Sequence, residues 1–135
     1  MPGERGAGMT AAPRVLVVDD NALNVELVAF VLDADGFTVA SATDAGDALR
    51  QIPLFRPELI LMDIQMPDVD GLELTRRLKA DPATRHILIV AFTAYAMKGD
   101  EARLLAGGCD GYLSKPIDVA SFATKVRHII TGRTE

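Results

Sequence analysis

A doubly wound α/β domain on a single parallel sheet is predicted by three features of the sequence. From Arg14 onward, five short apolar runs alternate strictly with five longer amphipathic segments. The apolar runs are nearly continuous, as in strands covered on both faces. Glycine, proline and cap-forming residues mark the boundaries between them.

The first strand is "RVLVV" (14–18). In the helix after it, "ALNVELVAFVLDADG", Leu23, Leu27, Phe30 and Val31 recur at helical spacing and Gly36 is the expected stop. "FTVASA" (37–42) is the second strand; Thr43 or Asp44 caps a helix running to about Ile52, with Pro53 beyond it. "ELILM" (58–62) is the third strand. A turn at Met66-Pro67 and Asp70-Gly71 leads into the helix "LELTRRLKA", which ends before Asp81-Pro82 because a residue preceding proline avoids helical angles. "ILIVAF" (87–92) is the fourth strand, and "KGDEARLLAG" a helix closed by Gly107-Gly108. "GYLS" is a short fifth strand, and "DVASFATKVRHIIT" the last helix, with Arg127 and His128 near its C-terminal end, where cations are favoured. Alternation of this kind implies right-handed crossovers, with helices on both faces of the sheet.

The 135 residues make one domain's worth of chain. Residues 1–12, "MPGERGAGMTAA", lack periodicity and are expected to form a flexible tail before a domain over 13–135. They contain no apolar stretch of signal-peptide length, and the run at 87–92 is far short of the ~20 residues of a spanning helix. A net charge of −5 argues against a nucleic-acid reader and against a polybasic membrane anchor. Cys109 is the single cysteine, so no intrachain disulfide forms and a reducing cytoplasm is expected. Its expected role is that of a small buried hydrophobe.

The polar residues that end the apolar runs carry the chemistry. The first strand ends in Asp19-Asp20, the third in Asp63, the fourth in Thr93 and the fifth in Ser114-Lys115-Pro116. Ligands of parallel α/β sheets bind at the carboxyl ends of the strands. Each residue alone has a plain structural explanation: Asp20 or Asn21 as a helix cap, Asp63 as a solvated acid, Thr93 as a cap, Lys115 as a surface lysine, Asp70-Gly71 as a turn. Together, on one sheet edge, three carboxylates repel one another unless a cation joins them. Magnesium takes few carboxylates, keeps several waters and accepts a phosphoryl oxygen. Three aspartates, one divalent ion and Lys115 sum to zero formal charge, so an anionic phosphoryl group can enter.

The motifs "VVDDN", "LILMDIQMPDVDG", "AFTAYA" and "LSKPI" make the chain resemble the receiver domain of two-component response regulators over residues 14 to about 131. The segment from Ala91 to Ile117 is similar to single-domain cell-division receivers of the DivK type. The resemblance implies a CheY-like, flavodoxin-like fold of strand order 2-1-3-4-5. It implies Asp63 as phosphoacceptor, and magnesium held by Asp19, Asp20, Asp63 and the backbone carbonyl of Gln65. Thr93 and Lys115 are implied to contact the phosphoryl group, Lys115-Pro116 to be a cis peptide, and Tyr112 to be a switch aromatic. Gln65 and Tyr95 occupy positions that tune hydrolysis. Implied partners are a sensor histidine kinase or histidine phosphotransfer protein upstream, and a protein target on the face of the fourth helix, fifth strand and fifth helix. A stand-alone receiver signalling by protein contact is favoured over one cut from a larger regulator. Neither His86 nor His128 lies in a metal or phosphotransfer motif, and both are expected at the surface. Two other classes fit less well. A haloacid-dehalogenase-type phosphatase needs an acid two residues after its nucleophile, where this chain has Gln65. A flavin carrier needs a phosphate loop where Asp19-Asp20 stand.

Overall fold

A computed structural model describes residues 12–64, 71–93 and 98–132, with backbone alone for 98–101. The elements in chain order are β1 (Arg14–Val18), α1 (Ala22–Ala34), β2 (Thr38–Ala42), α2 (Ala45–Phe55), β3 (Leu59–Asp63), α3 (Gly71–Ala80), β4 (Leu88–Thr93), α4 (Lys98–Ala106), β5 (Gly111–Ser114) and α5 (Phe122–Gly132). The five strands form one parallel sheet of order β2-β1-β3-β4-β5, as the resemblance implies.

Side-chain alternation splits the core into two layers. Leu16, Val18, Ile60, Met62, Ile89 and Ala91 face α2, α3 and α4. Val15, Val17, Leu59, Leu61, Val90 and Phe92 face α1 and α5. The whole run from Leu59 to Met62 is solvent-free. Each such side chain contributes about 1.5–3 kcal/mol of burial free energy, so β3 is firmly held when it delivers Asp63 to the edge. Phe92 and Phe122 meet with ring centroids 5.9 Å apart, joining β4 to α5.

Local chemistry explains the helix ends. The Asn21 side chain accepts from the Asn24 N–H and caps α1; the Asp44 side chain caps α2 through Asp47. Gly36 (φ 92) and Gly108 (φ 108) make left-handed stops after α1 and α4. Three expectations are corrected. Of Leu23, Leu27, Phe30 and Val31, all on the helix as expected, the first three face solvent, at 76%, 42% and 72% exposure, while Val31 joins Val28 and Leu32 against the sheet. α1 is apolar nearly all round, so spacing did not select its buried side. Pro53 lies inside α2, not beyond it. In the exposed last turn it forgoes only one hydrogen bond, and the helix continues to Phe55. The last helix begins at Phe122, after Ser121 and Phe122 have both bonded back to the Asp118 carbonyl in a turn.

Among the described residues no helix is long and apolar enough to cross a membrane. Cys109 is buried as expected, and that burial pushes its thiol up. His86 and His128 are exposed.

Candidate functional site

The register of the sheet assembles the site. Val18, the last residue of β1, pairs with Met62, and β3 runs one residue further to put Asp63 opposite Phe92. β4 ends on Thr93, opposite Ser114. Asp19, Asp63, Thr93 and Lys115 therefore emerge along one edge because parallel strands end together.

Asp19 is held by its backbone and one carboxylate oxygen. Its N–H donates to the Ala42 carbonyl (3.0 Å), and its Oδ1 accepts from the Asn21 N–H (2.9 Å). Its Oδ2 is buried and accepts no hydrogen bond. The Lys115 Nζ lies 3.2 Å from that oxygen. The distance is that of an ion pair, but the directions do not make a hydrogen bond. The same ammonium lies 3.4 Å from Asp63 Oδ1 and 5.1 Å from the centre of the Phe92 ring. Lys115 is thus no solvated surface lysine: its side chain is 16% exposed and is shared between two buried carboxylates. Its backbone N–H donates to the Thr93 carbonyl (2.8 Å), and the bond to Pro116 is cis.

Asp20 is exposed at the mouth of the site. It does not cap α1, which Asn21 does. Carboxylate oxygens of Asp19, Asp20 and Asp63 all lie within 4.8 Å of one another. Three carboxylates against one ammonium leave the cluster short of two positive charges. The donor set is all oxygen, and one buried oxygen lacks a donor. Both facts suit a hard divalent cation such as magnesium. Thr93 is buried at the end of β4, inside the strand and well before α4, so it is not that helix's cap. Tyr112 sits half-buried on β5 against the layer beneath α2, α3 and α4. Gln65, Tyr95, Met66-Pro67 and Asp70 lie outside the described residues.

One contributor exceeds the role expected for it. Gly71 opens α3 with its Cα pressed against the strand end: a Cβ there would stand 2.6 Å from the Asp63 carbonyl oxygen and 2.9 Å from Ile64 Cα. An apolar run that ends on an acid and is followed within a few residues by Asp-Gly was the available signal. It reads as a turn, and the close approach to Asp63 is visible only in three dimensions.

The pattern described as the response regulator receiver domain matches residues 15–127. The polar-differentiation response regulator DivK of Brucella anthropi is 46% identical over 113 residues, which span 84% of this chain and 92% of that protein. The signal receiver domain of a signal transduction histidine kinase from Syntrophus aciditrophicus superposes with a TM-score of 0.79 at 30% identity, covering 90% of this chain and 92% of that one. The chemotaxis response regulator CheY4 of Vibrio cholerae has the same fold, with a TM-score of 0.81 at 24% identity over 87% of this chain and 98% of that one. With matching motifs, sheet order and strand-end acids, the chain belongs to the response regulator receiver family.

Proposed function

We propose that residues 13–135 act as one receiver unit in which Asp63 accepts a phosphoryl group from a phosphohistidine. The observation that carries this is the buried Asp63 carboxylate held 3.4 Å from the Lys115 ammonium beside a second buried acid. A carboxylate oxygen of Asp63 attacks phosphorus in line. The new P–O bond forms as the P–N bond to imidazole breaks, and the imidazole leaves with a proton. Lys115 follows the charge onto the transferred oxygens, and the Thr93 hydroxyl donates to one of them. Asp19, Asp20, Asp63 and the Gln65 carbonyl would hold magnesium, which when bound supplies positive charge to the phosphoryl oxygens. Water later cleaves the acyl phosphate, restoring the carboxylate, so the chain is a signalling acceptor that acts only on itself.

In the modified state Thr93 is drawn toward the phosphoryl group and Tyr112 turns inward, biasing α4, β5 and α5 toward a second arrangement. A downstream protein reads that face. The donor, a sensor kinase or phosphotransfer protein, approaches over Asp63, and the exposed Leu23, Leu27 and Phe30 of α1 offer it apolar contact beside Asp20. The single cysteine accords with a cytoplasmic setting.

Intact mass after exposure to a small-molecule phosphodonor tests the proposal. Wild type gains one phosphoryl group with magnesium and none without it, and Asp63→Asn gains none. A modified Asp63→Asn would move the acceptor elsewhere. No gain in wild type would leave a binding module that works without phosphorylation.

A further inference from the structure

The amino ends of the same strands carry a cleft of about 1110 Å³, on the opposite side of the sheet from the acids. Ile52, Leu78 and Ile87 lie buried at its base, and Phe55 is half-buried beside them. One wall is the end of α2 and the Arg56-Pro57 step; the other is the end of α3 and the segment leading into β4. Arg14, Arg56, Arg77 and His86 stand around the opening.

The cationic side chains are largely uncommitted. Arg14 Nε donates to the Arg56 carbonyl (2.8 Å), which sets the two side by side. Among the described residues, none of Arg14, Arg56, Arg77 and His86 joins an ion pair. Glu58 and Asp81 also line the cleft, and the Asp81 carboxylate accepts from the Ala83 N–H. Three guanidiniums against two carboxylates leave one positive charge, on a chain whose net charge is −5. Arg56 has a left-handed backbone (φ 56), where glycine is the usual occupant. A side chain kept at such a position invites a functional explanation.

We propose that this cleft binds a small organic phosphate with a planar apolar body, of nucleotide size. The guanidiniums supply planar forks for phosphate oxygens, and Phe55 with the aliphatic base receives the ring. The site is separate from the phosphoryl acceptor and needs no magnesium.

Amide NMR of the whole chain in chelator, titrated with adenosine monophosphate, adenosine and inorganic phosphate, tests it. Adenosine monophosphate should saturate, shifting the amides of Arg14, Arg56, Glu58 and residues 77–81 and 83–88. Arg77→Ala and Arg56→Gly should each weaken binding about ten-fold, the loss of one charge-assisted contact. Glycine suits the backbone at position 56, so that variant folds. Asp63→Asn should bind as wild type does. The proposal is overturned by the absence of saturation at millimolar ligand, by shifts confined to the Asp19–Asp63 edge, or by undiminished binding in both arginine variants. It is equally overturned if inorganic phosphate or adenosine alone binds as tightly as the nucleotide.

Discussion

The two ends of the sheet are made by the same strands and carry opposite chemistry. At the carboxyl end, Asp19 and Asp63 are buried and share the Lys115 ammonium, with Asp20 close by. At the amino end, Arg14, Arg56 and Arg77, none of them in an ion pair among the described residues, stand with Glu58 and Asp81 around an open cleft, and the nearby Lys79 is tied up, bonding to Asp110 at 2.8 Å and to the Ile87 carbonyl at 2.8 Å. A parallel sheet gathers all strand starts on one edge and all strand ends on the other, so residues far apart along the chain meet at each edge together with the helix ends that pack beside them. Buried charge is tense because each group depends on its partners, whereas exposed charge is tolerant because water replaces them. The acid edge should therefore respond strongly to single substitutions and the arginine edge weakly.

The largest effect is expected from Lys115→Ala. Removing one partner of a buried pair costs about 3–5 kcal/mol; some residual solvent at Lys115 argues for the low end, about 3 kcal/mol. Urea unfolding without divalent ions measures it. A loss below about 1 kcal/mol would mean that the two aspartates do not depend on the ammonium and that the edges differ less than their burial implies. Gly71→Ala comes next, since its Cβ would meet the Asp63 carbonyl at 2.6 Å. Overpacking against backbone costs about 1–3 kcal/mol, and the shift it forces should also slow phosphoryl acceptance. An unchanged acceptance rate in a folded Gly71→Ala would show that Asp63 is positioned by β3 alone.

Magnesium probes the same edge from the other direction. A cation that binds the folded chain alone stabilises it by RT ln(1 + [Mg]/Kd), about 1.4 kcal/mol at ten times Kd. Wild type should gain this and Asp20→Asn should gain much less. Asp20 is the exposed member of the cluster, so the variant removes one carboxylate of the proposed magnesium site and leaves the buried pair intact. Equal stabilisation of both proteins would place the ion elsewhere.

These sites differ in how readily the sequence exposes them. Asp19, Asp63, Thr93 and Lys115 were legible because each directly follows or ends an apolar run, and a strand's end is the sharpest feature such a run has. The strand order was legible only through the resemblance, since alternation alone does not say which strands are neighbours. The buried side of α1 was not legible: Leu23, Leu27 and Phe30 make as good a stripe as Val28, Val31 and Leu32, and only the contact with β1 and α5 decides between them. The role of Gly71 was hidden because a turn glycine and one pressed against a strand-end carbonyl look alike in sequence. The arginine cleft was hidden for another reason. Arg14, Arg56, Arg77 and His86 are far apart along the chain, and what unites them is the packing of the ends of α2 and α3 beside the starts of β1, β3 and β4.

The smallest expected effect belongs to Arg56→Gly. An L-residue in the left-handed region costs roughly 1–2 kcal/mol, while glycine gives back about 0.5–1 kcal/mol through the greater freedom of its unfolded chain. The Arg56 side chain is exposed, and the contact made there, Arg14 Nε to the Arg56 carbonyl, uses the backbone and survives the change. Unfolding free energy should stay equal or rise by about 0.5 kcal/mol. The same substitution should weaken nucleotide binding about ten-fold. That combination, affinity lost while stability holds, is what a side chain kept for a ligand produces. A loss of more than about 1 kcal/mol of stability would instead make the guanidinium part of the scaffold, and the amino edge would then be no more tolerant than the acid edge opposite it.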